Sequence, residues 1–401
     1  METNLAPHPM ALQDWREQLR QSLSSVEALV DAGWISGAVA DRIPSDIRKT
    51  VIRVPPYYLS LIGSGPLDPI RLQCIPTPEE SDPPLPPAFQ RLSSQIFGRE
   101  TPWLSDPIGD QAHLAAPRLT HRYGNRALLH VSSACSMYCR FCFRKSHLSS
   151  KEPDLYNGDF EPALRYLQAH PEVRELILTG GDPLSLTDAS LLSLFLRLET
   201  VASLQVVRIH TRMPATLPYR LTLKLLSELG RPRSFKVMLV THFNHPRELT
   251  PVARHTLERC VSLGIPLYNQ AVLLSQINDD ATILSELFQK LYELGAHPYY
   301  LHHPDYTPAT SRFRVPIEKG RQLIDEVREQ VSGPALPDYI LDVPGGWGKI
   351  SLTDRRVNLI EARTLSGWHA ETYEIPVSYN GKNTGDQKMP TRYLNLSPQK
   401  K

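Results

Sequence analysis

The chain has almost no excess of charge of either sign: 44 Lys and Arg against 42 Asp and Glu leave +2 over 401 residues. That near-balance excludes the one-sided electrostatic footprint of a nucleic-acid or anionic-membrane binder. Long apolar runs are missing too; none approaches the roughly 18 residues of a membrane span. The first residues, METNLAPHPMALQDWREQ, have no basic-then-apolar leader pattern, so a cytoplasmic protein is expected. Cysteine is scarce, with five in all. An odd handful in a reducing compartment is not a disulfide framework. Disorder is excluded as the main state, because 41% hydrophobic residues can build a sizeable core.

Three of the five cysteines, Cys135, Cys139 and Cys142, sit together as C-x3-C-x2-C. A structural zinc site needs four ligands, normally as two pairs, and no second pair is present. Thiolates are soft donors suited to iron–sulfur clusters. Three of them on a cube leave one iron open to a small molecule that offers an amine and a carboxylate. Cys74 and Cys260 are isolated and read as small buried hydrophobes.

Phosphate-binding patterns are also absent. Gly63-Ser64-Gly65 lacks the third glycine of a dinucleotide fingerprint, since Asp68 stands there. In Asp342-Val343-Pro344-Gly345-Gly346-Trp347-Gly348-Lys349, Ile350 occupies the place where a P-loop needs Ser or Thr. A lysine closing a glycine-rich turn is presented to a ligand. Desolvation there would make it a Schiff-base nucleophile; otherwise it is an ordinary solvated turn lysine.

Along the chain, residues 11–33 read as one amphipathic helix, with Trp15, Leu19, Leu23, Val26 and Val30 at helical spacing. Residues 52–120 are proline-rich, including the run Pro83 to Pro87, and read as an extended arm packed on the body without a core of its own. From about residue 126, six short apolar runs alternate with helical periods. The strands are expected at 127–132, 175–179, 206–210, 236–241, 266–273 and 299–302, which predicts parallel strands with crossover helices. Polar residues crowd the carboxyl end of each strand, where a parallel barrel builds its active site. The expected architecture is α/β, a partial parallel (β/α)6 barrel over residues 121–352. Residues 1–120 form the N-terminal helix and arm, and 353–401 a short C-terminal extension.

With Phe141 in the aromatic place of C-x3-C-x-aromatic-C, the chain resembles the radical S-adenosylmethionine (SAM) enzymes. The resemblance implies a 4Fe–4S cluster on Cys135, Cys139 and Cys142 and S-adenosylmethionine at the open iron. One electron, from a donor such as flavodoxin or ferredoxin, then yields a deoxyadenosyl radical. Gly180-Gly181-Asp182-Pro183 looks like the superfamily's glycine-rich motif. Its glycines would let backbone approach the ligand, and Asp182 could accept from an ammonium group.

From about residue 105 to 352 the chain resembles the lysine 2,3-aminomutase family. The motifs are LTHRYGNRALL, CSMYCRFC, GGDPL, THFNHP, Asn269-Gln270, SRFRVPIEKG and the lysine loop, which is similar to P-G-G-G-G-K. The resemblance implies an isomerase that moves the α-amino group of a small-molecule substrate, L-lysine, to its β-carbon. Lys349 would carry pyridoxal phosphate, held by Arg122, Tyr123 and Arg126. His242 and Gln270 would lie beside S-adenosylmethionine. Arg144 would clamp the substrate α-carboxylate, and Asp305 and Asp342 would receive its ε-ammonium. From the residues alone, His242 also reads as a strand-end polar residue or as half of an H-x-x-H metal pair with His245.

The family pattern is departed from in places. Many relatives have a zinc-binding cysteine where Asp280 stands, and no cysteine follows Cys260. A homo-oligomer, if formed, is expected without zinc. Trp347 replaces a loop glycine and is expected to reshape the pocket. A second family branch serves the modification of elongation factor P; it shares the missing zinc cysteines and is similar in the proline-rich arm and the RFCFRK segment. The alternatives left open are that branch, another cationic substrate such as arginine or ornithine, and a cluster-bearing binding protein without turnover.

Overall fold

The computed structural model describes residues 14–149, 153–156, 158–380 and 389–399. Its centre is a ten-stranded sheet in simple sequential order. The strands are β1 (Leu114–Ala116), β2 (Leu119–Tyr123), β3 (Arg126–Ser132), β4 (Glu175–Gly180) and β5 (Val206–His210), followed by β6 (Lys236–Thr241), β7 (Leu267–Val272), β8 (Ala296–His302), β9 (Asp338–Val343) and β10 (Gly348–Ser351). Neighbours from β3 to β9 are parallel. The six expected strands are β3 to β8. β9 adds a seventh parallel strand, and β1, β2 and β10 extend the sheet with antiparallel pairs at its ends.

The crossover helices form where the apolar spacing places them. Helix Ala281–Glu293 buries Leu284, Leu287, Phe288 and Leu291 at 3–4 residue spacing. Asp280, in the place of a relative's zinc cysteine, caps this helix by accepting from Thr282 N and Ile283 N.

The N-terminal part departs from expectation in two ways. The helix expected over 11–33 is two short helices, Trp15–Arg20 and Val26–Asp31; residues 11–13 lie outside the described residues. Between them Leu23 bridges to Val54, and Ser25 caps the second helix by accepting from Ala28 N. The arm is also not simply extended. Helix Pro87–Phe97 opens on the last residue of the proline run, with Pro87 in its first turn, where the missing N–H costs no hydrogen bond. Nor does the arm lack a core. Val26, Leu29, Ile47, Val54, Tyr58, Ile70 and Cys74 form a cluster of their own that meets the cysteine loop at Met137. Cys74 and Cys260 are fully buried, as expected of small hydrophobes.

The arm's end also touches the far end of the sheet. Gly345 N donates to Pro107 O at 3.0 Å, and a Cβ on Gly109 would fall 2.8 Å from Gly346 Cα. This close approach joins the segment before β1 to the loop before β10. The C-terminal extension is a three-stranded antiparallel sheet, β11 (Asn358–Leu365), β12 (Trp368–Glu374) and β13 (Arg392–Pro398). Its first hairpin turns on Ser366-Gly367, both at positive φ, as a two-residue loop requires. Among the described residues no helix is long and apolar enough to cross a membrane.

Candidate active site

The cysteine loop leaves β3 and is pinned by the loop after β4. Gly181 N donates to Ser132 O at 2.6 Å and Asp182 N to Ala134 O at 2.8 Å. A Cβ on Gly180 would lie 2.3 Å from Ser132 O, and one on Gly181 2.5 Å from Ala134 O. The two glycines therefore serve the approach of one loop to the other. Asp182 is buried and accepts from Leu184 N, Arg212 N and Thr211 Oγ1. Its acceptor positions face protein donors, so it scaffolds the loop instead of offering a free carboxylate to an ammonium group.

Burial pushes the Cys135 thiol well up and the Cys142 thiol to about 11, and the neighbouring cysteines add to both shifts. Arg212 Nη1 donates to Cys139 Sγ at 2.6 Å, while its Nη2 meets Gln73 and Glu248. Arg140, inside the motif, is fully buried and donates to both oxygens of Glu80 at 3.0 and 2.9 Å. His242 tilts over Phe141 with ring centroids 5.8 Å apart and meets Asn244 Oδ1 at 3.1 Å. Burial keeps it neutral, well below the usual histidine range. His245 Nδ1 accepts from Arg247 N, so this histidine caps the short 3-10 turn that follows it. Gln270 Nε2 lies 3.5 Å from His210 Nδ1.

The β9–β10 ladder sets Lys349 opposite Asp342. Lys349 Nζ is 2.6 Å from both Asp342 oxygens, and His302 Nδ1 is 3.3 Å from Oδ2. The lysine side chain is 32% exposed, so it is held by an ion pair and not by desolvation. Burial alone would raise the Asp342 carboxyl, but Lys349 and His302 outweigh it and hold it below the carboxylate range. For Asp305, burial and then the Asp342 charge push the carboxyl up to about 7, against Lys349, Arg314 and Arg144. Burial and the Asp342 charge thus act against ionisation of Asp305, while Lys349 and His302 favour that of Asp342. The Trp347 indole folds back on its own loop, with Nε1 3.3 Å from where a Gly345 Cβ would stand.

Arg144 and Arg122 meet on a residue that the sequence did not single out. Asp110 is fully buried and accepts from Arg144 Nε and Nη2 at 3.1 and 2.9 Å. It also accepts from Arg122 Nη2 at 3.2 Å. Burial opposes its ionisation, but Arg144, His130 and Arg122 hold it at about 2. Two guanidiniums sharing one carboxylate leave net positive charge for an anionic ligand. The Arg126 guanidinium stacks 3.9 Å over Tyr123, whose hydroxyl lies 3.1 Å from where a Gly348 Cβ would stand. The ion-pair partners of Asp110, Glu80 and Arg212 lie 12 to 60 residues away in sequence, so no short motif announces these pairs.

The residues fit the groups that the family implies. Among the described residues no three His, Cys, Asp or Glu converge on one metal ion. Cys135, Cys139 and Cys142 are free and partly exposed on one loop, and three soft thiolates suit a cube, in which each binds its own iron. Arg122 Nε is buried with no hydrogen-bond partner among the described residues, which leaves a donor for an anionic group such as a phosphate. His210 Nε2 and His302 Nε2 are likewise buried and unpartnered there.

The model of the radical SAM superfamily matches residues 129–284. The L-lysine 2,3-aminomutase of Clostridium subterminale is 32% identical over 91% of this chain and 85% of its own length. That of Fusobacterium nucleatum is 34% identical over 96% and 87%. That of Acetoanaerobium sticklandii is 32% identical over 91% and 85%. Matches of this identity and extent reach from the arm through the cysteine loop to the lysine loop, and the chain belongs to the lysine 2,3-aminomutase family of radical SAM isomerases.

Proposed function

We propose that the chain converts L-lysine to β-lysine in the cytoplasm, with a small one-electron carrier of the flavodoxin or ferredoxin kind as its reductant. One observation carries the substrate choice. Asp305 lies within electrostatic reach of Asp342, Lys349, Arg314 and Arg144, so carboxylates and guanidiniums act on one neighbourhood around Lys349. A substrate with an ammonium at one end and a carboxylate at the other matches those charges.

When bound, the cluster with S-adenosylmethionine supplies hydrogen-atom abstraction, and pyridoxal phosphate supplies a ring that stabilises the migrating centre. Cys135, Cys139 and Cys142 would hold the cluster. Lys349, Arg122, Tyr123 and Arg126 would hold the pyridoxal group. His242 and Gln270 would line the S-adenosylmethionine side, above the scaffold of Gly180, Gly181 and Asp182.

Arg144 uses three of its five N–H donors on Asp110 and Thr179. Two remain for the substrate α-carboxylate. Asp342 holds the Lys349 ammonium in the resting protein. Once Lys349 Nζ is engaged elsewhere, its place falls to the substrate ε-ammonium. A glutamate-like side chain would be repelled there.

The test is anaerobic reconstitution with iron, sulfide, pyridoxal phosphate, S-adenosylmethionine and a reductant, followed by mass spectrometry of a lysine, arginine and ornithine mixture. β-Lysine should form and the other two should be unchanged. A product from arginine or ornithine with none from lysine would reassign the substrate. No product from any would favour a binding protein.

A further inference from the structure

Arg212 stands just past the carboxyl end of β5, buried against the cysteine loop. Its Nη1 donates to Cys139 Sγ at 2.6 Å. Its Nη2 donates to Gln73 Oε1 at 2.5 Å and to Glu248 Oε1 at 2.8 Å. The guanidinium carbon also lies 5.1 Å from the ring centroid of Phe141, the aromatic residue of the cysteine motif. Nε is buried with no hydrogen-bond partner among the described residues, so the fold leaves one donor of this cation unused.

Glu248 is fully buried too, and accepts from Tyr58 Oη at 2.7 Å, Asn244 N at 2.6 Å and His245 N at 2.9 Å. With Arg212, four donors converge on this one carboxyl group, which holds it as a carboxylate. A brace between β5 and the arm would need only the contacts of Nη2 with Gln73 and Glu248. The contact of Nη1 with the Cys139 sulfur is one that a brace does not need. The pair thus has a direction: its cation rests on the sulfur, and its anion is bound to the other nitrogen.

We propose that Arg212 and Glu248 set the reduction potential of the cluster held by Cys135, Cys139 and Cys142, the guanidinium raising it and the carboxylate limiting that rise. The proposal rests on the assignment of those cysteines as cluster ligands. Reduction brings one electron from the carrier onto a thiolate-ligated cluster, with no bond made or broken and no proton moved. Hydrogen bonds to the ligand sulfurs and nearby charge both tune such a potential. At Cys139 one side chain supplies both. Burial leaves its charge poorly screened, and Glu248 is what allows a guanidinium to stay buried there.

Potentiometric titration of the full chain reconstituted with iron and sulfide, read by the electron paramagnetic resonance of the reduced cluster, tests this. Arg212→Gln should lower the reduced-to-oxidised ratio at a fixed potential by about tenfold or more, which is about 59 mV for one electron. Glu248→Gln unmasks the cation and should raise that ratio by a similar factor. A loosened loop would admit water in both variants and move both potentials the same way, so opposite shifts isolate the charge. Tyr58→Phe removes one donor from Glu248 while keeping the buried ring, and should lower the ratio; it decides the matter where the other variants retain no iron. Shifts of one sign in Arg212→Gln and Glu248→Gln overturn the proposal, as does a cluster whose potential none of the three substitutions moves. A wild type that takes up no cluster overturns the assignment of the cysteines and this proposal with it.

Discussion

Asp110 acts through two other side chains, and its loss is expected to be felt at both ends of the site. It is fully buried and shared by Arg144 and Arg122. Hydrogen bonds to charged groups contribute about 1.5–3 kcal/mol each. Asp110→Asn keeps the shape and removes the charge, leaving two buried guanidiniums unbalanced. Substrate KM should rise about tenfold or more, and pyridoxal phosphate, followed by its bound absorbance, should bind more weakly. Asp110→Glu should recover part of both. A change in kcat alone, with KM and cofactor absorbance kept, would contradict this positioning role. Asp305 gives a pH test. Its carboxyl is raised from the usual aspartate value near 4 to about 7. Between those values the unfolded chain has released a proton that the folded chain keeps, so this group makes stability fall as pH rises from about 4 to 7. A bound ε-ammonium stabilises the ionised form, so lysine should bind more tightly as pH rises through about 7. Calorimetric titration at pH 6 and 8 measures this, and in Asp305→Asn the pH dependence should vanish. At this scale the site was legible only where a motif carried it. The cysteines, Lys349 and Arg144 stand in recognisable spacings. Asp110, Glu80 and Arg212 do not, because burial and partnership are long-range properties.

At the scale of elements, β3 to β8 were legible because each is a short buried run followed by an amphipathic helix. β4, Glu175–Gly180, is buried along nearly its whole length, which gives a continuous apolar word. β10 and β11 gave no such word. β10 lies in a glycine-rich loop, and β11 is exposed along its length. Proline misled for a physical reason: it excludes a helix interior but is welcome at a helix start, as Pro87 shows. The arm's strongest tie to the cysteine loop is the buried pair of Glu80 and Arg140, both 1% exposed. Removing one partner of a buried pair costs about 3–5 kcal/mol, because the other charge is left uncompensated. Glu80→Gln should therefore lower the thermal midpoint by several degrees and reduce iron retained after anaerobic reconstitution. Unchanged melting with full iron content would show that the arm is not coupled to the loop through this pair.

The whole molecule joins two loops through a segment that the sequence presented as an accessory. On one side the N-terminal region holds the cysteine loop through Arg140 and Glu80, through Arg53 to Cys135 O at 3.0 Å, and through Gln73 to Arg212. On the other side it holds the lysine loop through Pro107 and Gly345, and it delivers Asp110 to both arginines. Such a bridge makes cluster and cofactor binding energetically dependent on the same segment. Ligands that bind only the closed, folded arrangement stabilise it by mass action, and local opening of the bridge is suppressed with them. Hydrogen exchange on the reconstituted full chain checks this. Loading iron and sulfide alone should slow exchange at residues 132–145 and also at 50–82. Loading pyridoxal phosphate alone should slow it at 342–349 and also at 105–112. If protection stays confined to the two loops, the arm is a passive covering, and the barrel positions the cysteines and Lys349 without it.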